Sequence, residues 1–330
     1  MAETPDGRLP SRALILVLAA MAAVVTVVLI TRSSDDSANS TTTTTTTIVP
    51  PSVAALPDWN FPGKPPPFAP PPGGSRRMTA ASGGAQVEVL RADGSLLATG
   101  RVDSEGAVDE VRYYDATGAL AVVISRARLG AAASARRAGP VRCGADSRAS
   151  GGFRWNRFPI RWRVNLRRPP ARVSRSSART AFIAARRTWA RNNNYCRIPD
   201  RSRVAFLLRG STRAGVGRDG TSSVGFGAVA RLGGSCVGAV ACTITWTTGR
   251  VANESDILLD RTPPGGWFTA GRRRRTATDV QSVATHETGH MIGQDHVSTR
   301  SNVMFPRITR GDLSGRRLGR GDANANNAGY

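Results

Sequence analysis

All three histidines of the chain fall in one eleven-residue run, H-E-T-G-H-M-I-G-Q-D-H, from His286 to His296. His286 and His290 are four apart, so on a helix both imidazoles leave from the same face. Glu287 follows the first of them, at the edge of that face. Gly293 lets the backbone leave the helix in a conformation that a side chain resists, and the chain then turns back to deliver His296. Any fold must therefore place a helix, a glycine exit and a return at one point. Three neutral imidazole nitrogens there leave the fourth vertex of a tetrahedral zinc open, the arrangement of a catalytic site and not a structural one.

The run, with Met304 eight residues beyond His296 in N-V-M-F-P, resembles the H-E-x-x-H-x-x-G-x-x-H signature and methionine turn of metzincin zinc metalloendopeptidases, in their bacterial matrixin-like branch. The resemblance implies an α+β fold of the zincin type: a twisted mixed sheet with a long helix and an active-site helix. It implies one catalytic Zn2+ on His286, His290 and His296, with Glu287 as general base, Gly293 as the helix exit and Met304 as the methionine turn. It also implies a peptide substrate extended along an edge strand, Val237 to Thr243, with Pro306 to Ile308 walling a specificity pocket. No histidine remains for a second, structural zinc. Calcium stays open: Asp219, Asp256 and Asp260 are either ligands or, in the plainer reading, solvated loop acids.

The pattern over residues 141–330 follows the same order of elements. Ile160, Trp162 and Val164 alternate with arginines as in a half-buried strand. Ser176-Ser177 offer a cap to a helix carrying Ala178, Ala181, Phe182, Ala185 and Trp189 on one face. Strands are expected at Val204–Leu208, Ala239–Trp246 and Ile257–Leu259. The active-site helix is expected over Thr276–Gln294, capped by Thr276 or Thr278, and a closing helix over Leu318–Tyr330 with Asp322 near its start.

Upstream, Ala13 to Ile30 is an uncharged apolar run preceded by Arg8 and Arg12. At ~1.5 Å per residue it reaches about 27 Å as a helix, close to a hydrocarbon core of about 30 Å. Residues 1–32 thus read as a short stub and a single-pass signal anchor, with the later domains extracellular. A cleaved secretory signal is the alternative. Residues 33–80, with seven consecutive threonines and a proline-rich stretch, read as an extended linker.

Residues 81–130 form a small antiparallel β module by the same logic. Val87, Val89, Leu97, Val102, Val108, Val111, Tyr113, Leu120 and Val122 lie in short runs separated by Asp93-Gly94, Glu105-Gly106 and Thr117-Gly118. Two similar turn segments recur 24 residues apart. The module reads as a spacer, a propeptide-like inhibitor or a binding module. Residues 131–140 read as a second linker.

Four cysteines suggest two disulfides outside the cytosol, Cys143–Cys196 and Cys236–Cys242. The alternative is that Cys143, in P-V-R-C-G-A-D, acts as a cysteine switch like that of matrixin propeptides.

The net charge of +23 is nearly all arginine, with Lys64 the only lysine. It favours anionic partners such as envelope polymers or lipid head groups. No nucleic-acid motif accompanies it, so no specific nucleic-acid partner is expected. Two functions stand at this point. One is an exported, membrane-anchored zinc endopeptidase acting on protein or peptide substrates. The other is a non-catalytic envelope protein that binds anionic polymer. Hydrolysis of a non-peptide amide in a cell wall is a third.

Overall fold

In the computed structural model the described residues are 70, 72–81, 84–103, 108–130, 143, 146–233, 236–271 and 273–330. The expected anchor at Ala13–Ile30 lies outside them, as do most of the 33–80 linker and all of 131–140. Among the described residues, no helix is long and apolar enough to cross a membrane.

Alternating apolar residues build a five-stranded meander: β1 Ser75–Ala81, β2 Gly84–Leu90, β3 Leu96–Asp103, β4 Val108–Tyr114 and β5 Leu120–Leu129. Each strand pairs antiparallel with the next. All nine apolar residues expected to face a core here are buried. The two similar turn segments are equivalent hairpin loops. Arg91 N donates to Ser95 O and Asp115 N to Ala119 O, while the Asp93 and Asp115 carboxylates accept from Ser95 N and Thr117 N. Gly94 and Gly118 supply φ of +80° and +77°, which a side chain disfavours. β1 lies largely within the stretch expected to be linker, because Ser75–Ala81 finds the open edge of β2.

The second half supplies β6 Ile160–Asn165, β7 Phe206–Ser211, β8 Ser223–Gly227, β9 Ala241–Thr248 and β10 Val251–Asp260. Two-residue strands follow: β11 Trp267–Phe268, β12 Thr278–Asp279 and β13 Arg307–Ile308. The sheet order is β1-β2-β3-β4-β5-β9-β10-β8-β6-β7, with β13 also on β5. β6, β7, β8 and β10 pair in parallel, whereas β9 is antiparallel to both β10 and β5. The mixed sheet and the helices below make an α+β fold compatible with a matrixin-type catalytic domain.

Two expectations change here. Residues 81–130 do not stand apart from 141–330: β5 pairs with β9 from Val122↔Trp246 to Ala127↔Ala241, and one sheet runs through both. A shared apolar cluster reinforces the join, packing Val87, Val111 and Ile124 with Ile244 and Trp246. For the same reason Val237–Thr243 is not an open edge. Its first residues form a turn, and β9 has a strand on each side.

Helix α1, Arg175–Ala190, is capped by Ser174, whose hydroxyl accepts from Ser177 N at 3.0 Å. Ser176 and Ser177 instead lie in its first turn. Its expected apolar face is buried, and Trp189 Nε1 donates to Thr285 O at 2.7 Å, fixing α1 to helix α2, Val280–Met291. Burying a residue such as Phe182 contributes about 1.5–3 kcal/mol. Arg186 is buried too, with its guanidinium 3.8 Å from the Trp162 ring centroid. Helix α3, Arg320–Gly329, closes the chain. Disulfides join Cys143 to Cys196 and Cys236 to Cys242. Cys143 is thus bonded to Cys196 and carries no free thiol.

Candidate active site

The site is built on α2. Neither Thr276 nor Thr278 caps this helix. Asp279 does, accepting from Ser282 N at 3.0 Å and Ser282 Oγ at 2.7 Å. Arg316 holds the same carboxylate through two bonds of 2.7 and 2.8 Å. The helix is shorter than Thr276–Gln294 because β12 takes Thr278–Asp279 at one end and Gly293 ends it at the other. Gly293 has φ +78°, and a Cβ there would lie 2.4 Å from Phe153 O. Gly293 N still bonds His290 O and Gln294 N bonds Gly289 O, so the turn is tight enough to bring His296 back.

The result is a convergence of three Nε2 atoms. His286 and His290 are 3.0 Å apart, and each is 3.1 Å from His296. His286 Nδ1 faces Val303 O at 2.7 Å and His290 Nδ1 faces Gln294 O at 2.9 Å. A carbonyl only accepts, so those Nδ1 atoms carry the protons and their Nε2 lone pairs point into the shared space. Burial pushes His286 down to about 4. His290 and His296 lie well below the usual imidazole range, from burial first and then from neighbouring imidazoles. All three are neutral near pH 7. Neutral lone pairs this close repel, and a cation between them removes the conflict. An all-imidazole donor set suits zinc.

Glu287 lies beside this cluster, fully buried. Its Oε2 accepts from Thr243 Oγ1 at 2.5 Å, while Oε1 makes no well-formed hydrogen bond among the described residues. Burial pushes its carboxyl up to about 8, opposed by the Thr243 hydroxyl and, more weakly, by the Ala127 amide.

Met304 lies beneath the helix. It is buried, its carbonyl accepts from Val297 N at 3.0 Å, and it is in contact with Gly289. Asp322 fixes this turn from α3, accepting from Val303 N at 2.5 Å, Met304 N at 3.2 Å and Gly319 N at 2.8 Å.

Several participants escape sequence reasoning. Asp295 accepts from His296 N at 2.5 Å and forms ion pairs with Arg101 at 3.4 Å and Arg112 at 3.3 Å. Those arginines are more than 180 residues away in sequence, on β3 and β4. Thr243 is legible only as a strand residue, and Asp322 only as an acid in a helix's first turn. Pro306 to Ile308 do not wall an open pocket; they pair with β5.

The acids weighed for calcium are otherwise engaged. Asp256 is not solvated but fully buried, bonding Gly217 N and the Ser223 amide and hydroxyl. Asp219 and Asp260 cap their own turns at Thr221 N and Thr262 N. Among the described residues, the His286, His290 and His296 group is the one cluster with metal-ligand spacing.

Comparison with known proteins fits this geometry. Residues 239–330 match the family model for matrixin. A stretch of 37 residues is 49% identical to Metalloendoproteinase 5-MMP of Arabidopsis thaliana, covering 11% of this chain and 10% of that protein. Metalloendoproteinase 2-MMP of the same plant is 49% identical over 35 residues, 11% of this chain and 9% of that protein. The chain thus spans about a tenth of the length of these curated relatives. The matched residues 239–330 include the histidine run and Met304.

Proposed function

We propose that this chain is a zinc-dependent endopeptidase whose metal is held by His286, His290 and His296. The convergence of three neutral Nε2 atoms at 3.0–3.1 Å, next to a buried Glu287, carries the reading. Zinc bound there would act as a Lewis acid and make a water acidic enough to react near neutral pH.

The chain's own groups do the rest. Glu287 takes the proton of the attacking water and returns it to the amine that departs, a general acid–base role. Thr243 Oγ1 holds one carboxylate oxygen so that the other stays aimed at the reacting atoms. Val303 O and Gln294 O fix the tautomers and ring orientations of His286 and His290. The apolar packing of Met304 under α2 keeps the three rings in register.

The same reading places the enzyme outside the cytoplasmic membrane, anchored by Ala13–Ile30. Its support is that apolar run together with two disulfides among the four cysteines. Anionic envelope polymers are compatible partners for a chain of net charge +23.

The test is digestion of a peptide library by the zinc-loaded protein, before and after a brief tryptic nick upstream of Cys143. Digestion should vanish with a chelator, return with zinc, and fall by about 10²–10⁴-fold in Glu287→Gln. Peptide cleavage indifferent to the chelator and to Glu287→Gln would refute the assignment. Binding of polyanions with no digestion in either state would favour the non-catalytic alternative.

A further inference from the structure

The strand that joins the two halves of the sheet runs through the site itself. On one side of β5, Val240 N donates to Ala127 O at 2.9 Å, and Ala127 pairs antiparallel with Ala241. On the other side, Arg128 N donates to Pro306 O at 3.0 Å and Gly130 N to Ile308 O at 2.9 Å, with Arg307 paired in parallel to Arg128. Residues 127–130 are thus an extended segment clamped between β9 and the residues that follow Met304. An extended peptide bound by main-chain pairing looks like this.

The placement along the cleft is specific. Thr243, whose hydroxyl holds the Glu287 carboxylate, pairs with Ser125, and Ala127 pairs with Ala241 two residues on. The carboxylate thus lies against residues 125–127, where the Ala127 amide acts on it. In peptide hydrolysis the residue that returns the proton must face the nitrogen of the bond being broken. Ala127 N belongs to the Arg126–Ala127 peptide bond. The Arg126 side chain is held as well, with Nη1 donating to Val237 O at 3.2 Å and Nη2 lying 3.9 Å from Asp109. Beneath this strand the site is closed: His286 and Glu287 are 0% exposed, His290 2% and His296 3%. The Asp295 pairs with Arg101 and Arg112 fasten the meander over it. Both disulfides lie entirely C-terminal to Ala127, so no covalent tie spans residues 126 and 127.

We propose that β5 is the chain's own first substrate, with the Arg126–Ala127 bond in the cleavage position, masking the site until it is cut in cis. The inference rests on the proposed peptidase function. The water oxygen bonds to the Arg126 carbonyl carbon and the C–N bond to Ala127 breaks. The proton that Glu287 took from the water goes to the Ala127 nitrogen. The products are an Arg126 carboxylate and a free Ala127 amine. One cut severs β5 at the cleft, so its new ends can part from the site while residues 122–126 keep their pairing with β9.

Intact mass and N-terminal sequencing of the full chain after zinc addition test this directly. A fragment beginning at Ala127 is expected, at a rate unchanged by dilution and slowed by about 10²–10⁴-fold in Glu287→Gln. Hydrogen exchange on the metal-free full chain gives a second readout without turnover. The Arg128 and Gly130 amides should exchange slowly, in the wild type and in Glu287→Gln alike. Rapid exchange at both amides, a cut at another bond, or a rate proportional to concentration would overturn the inference. If added peptides are digested while Arg126–Ala127 stays intact, this inference fails and the peptidase function stands. If neither is cut, even after the tryptic nick, both fail.

Discussion

Gly289 and Met304 meet so closely that a Cβ built on the glycine would lie 2.2 Å from the methionine sulfur and 2.7 Å from Trp189 Cζ2. The glycine, in the helix turn between His286 and His290, is what lets the methionine turn pack directly under the histidines. Gly289→Ala should therefore overpack this point at a cost of about 1–3 kcal/mol. A calorimetric melt should show a lower Tm, and Met304→Ala should recover part of the loss in the double variant, since it removes the nearer clash. Simple additivity of the two changes would argue against direct contact.

Asp322 is the buried acceptor for three backbone N–H groups around the methionine turn. Asp322→Ala leaves those donors without a partner and should cost at least ~2–4 kcal/mol in urea unfolding. Burial also raises its carboxyl from 3.8 to about 6. The native state therefore binds this proton more tightly than the unfolded chain does. The resulting contribution is full below about pH 4 and is lost as pH rises through about 6. Asp322→Asn should flatten the stability profile over that window, and an unchanged slope would contradict the assignment.

Asp279 and Arg316 form a two-pronged pair whose carboxylate also caps α2. The Asp279 side chain is fully buried, so removing it strands a partly buried guanidinium and frees the helix end. Asp279→Ala should cost about 3–5 kcal/mol, whereas Asp279→Asn, which keeps a capping oxygen, should cost less. Denaturant titration of the two variants separates the cap from the charge.

Zinc should stabilise the folded chain measurably. A ligand present at about 100 times its Kd adds about 2.7 kcal/mol when it binds only the native state. Thermal melts with and without zinc should differ for Glu287→Gln, in which self-cleavage is slow. They should coincide for His286→Ala, which breaks the triad. An equal zinc-induced shift in both proteins would place the ion elsewhere.

Local pattern made much of the site legible beforehand. The four-residue spacing of His286 and His290, the positive φ required at Gly293 and the distance from His296 to Met304 are all properties of a short stretch of chain. So are the alternating apolar residues of β2 to β5 and the buried face of α1, because periods of two and of 3.6 residues are local. Helix caps are less legible. Ser174 and Asp279 compete with neighbouring serines and threonines of similar propensity, and packing of the whole helix decides among them.

Long-range pairing lay beyond the sequence's reach. Nothing in residues 120–129 specifies β9 as their partner more than 110 positions later; alternation says only that the strand needs a neighbour. Which edge it takes depends on which edges the assembled sheet leaves open. The same holds for Arg101 and Arg112 on Asp295, for Thr243 on Glu287 and for Asp322 under the methionine turn. The sequence alone thus determined a metal-binding helix and the chemistry it can support. The tertiary structure decided that the site's first neighbour is the chain's own strand, since only closure of the sheet sets β5 beside the strand whose Thr243 holds Glu287.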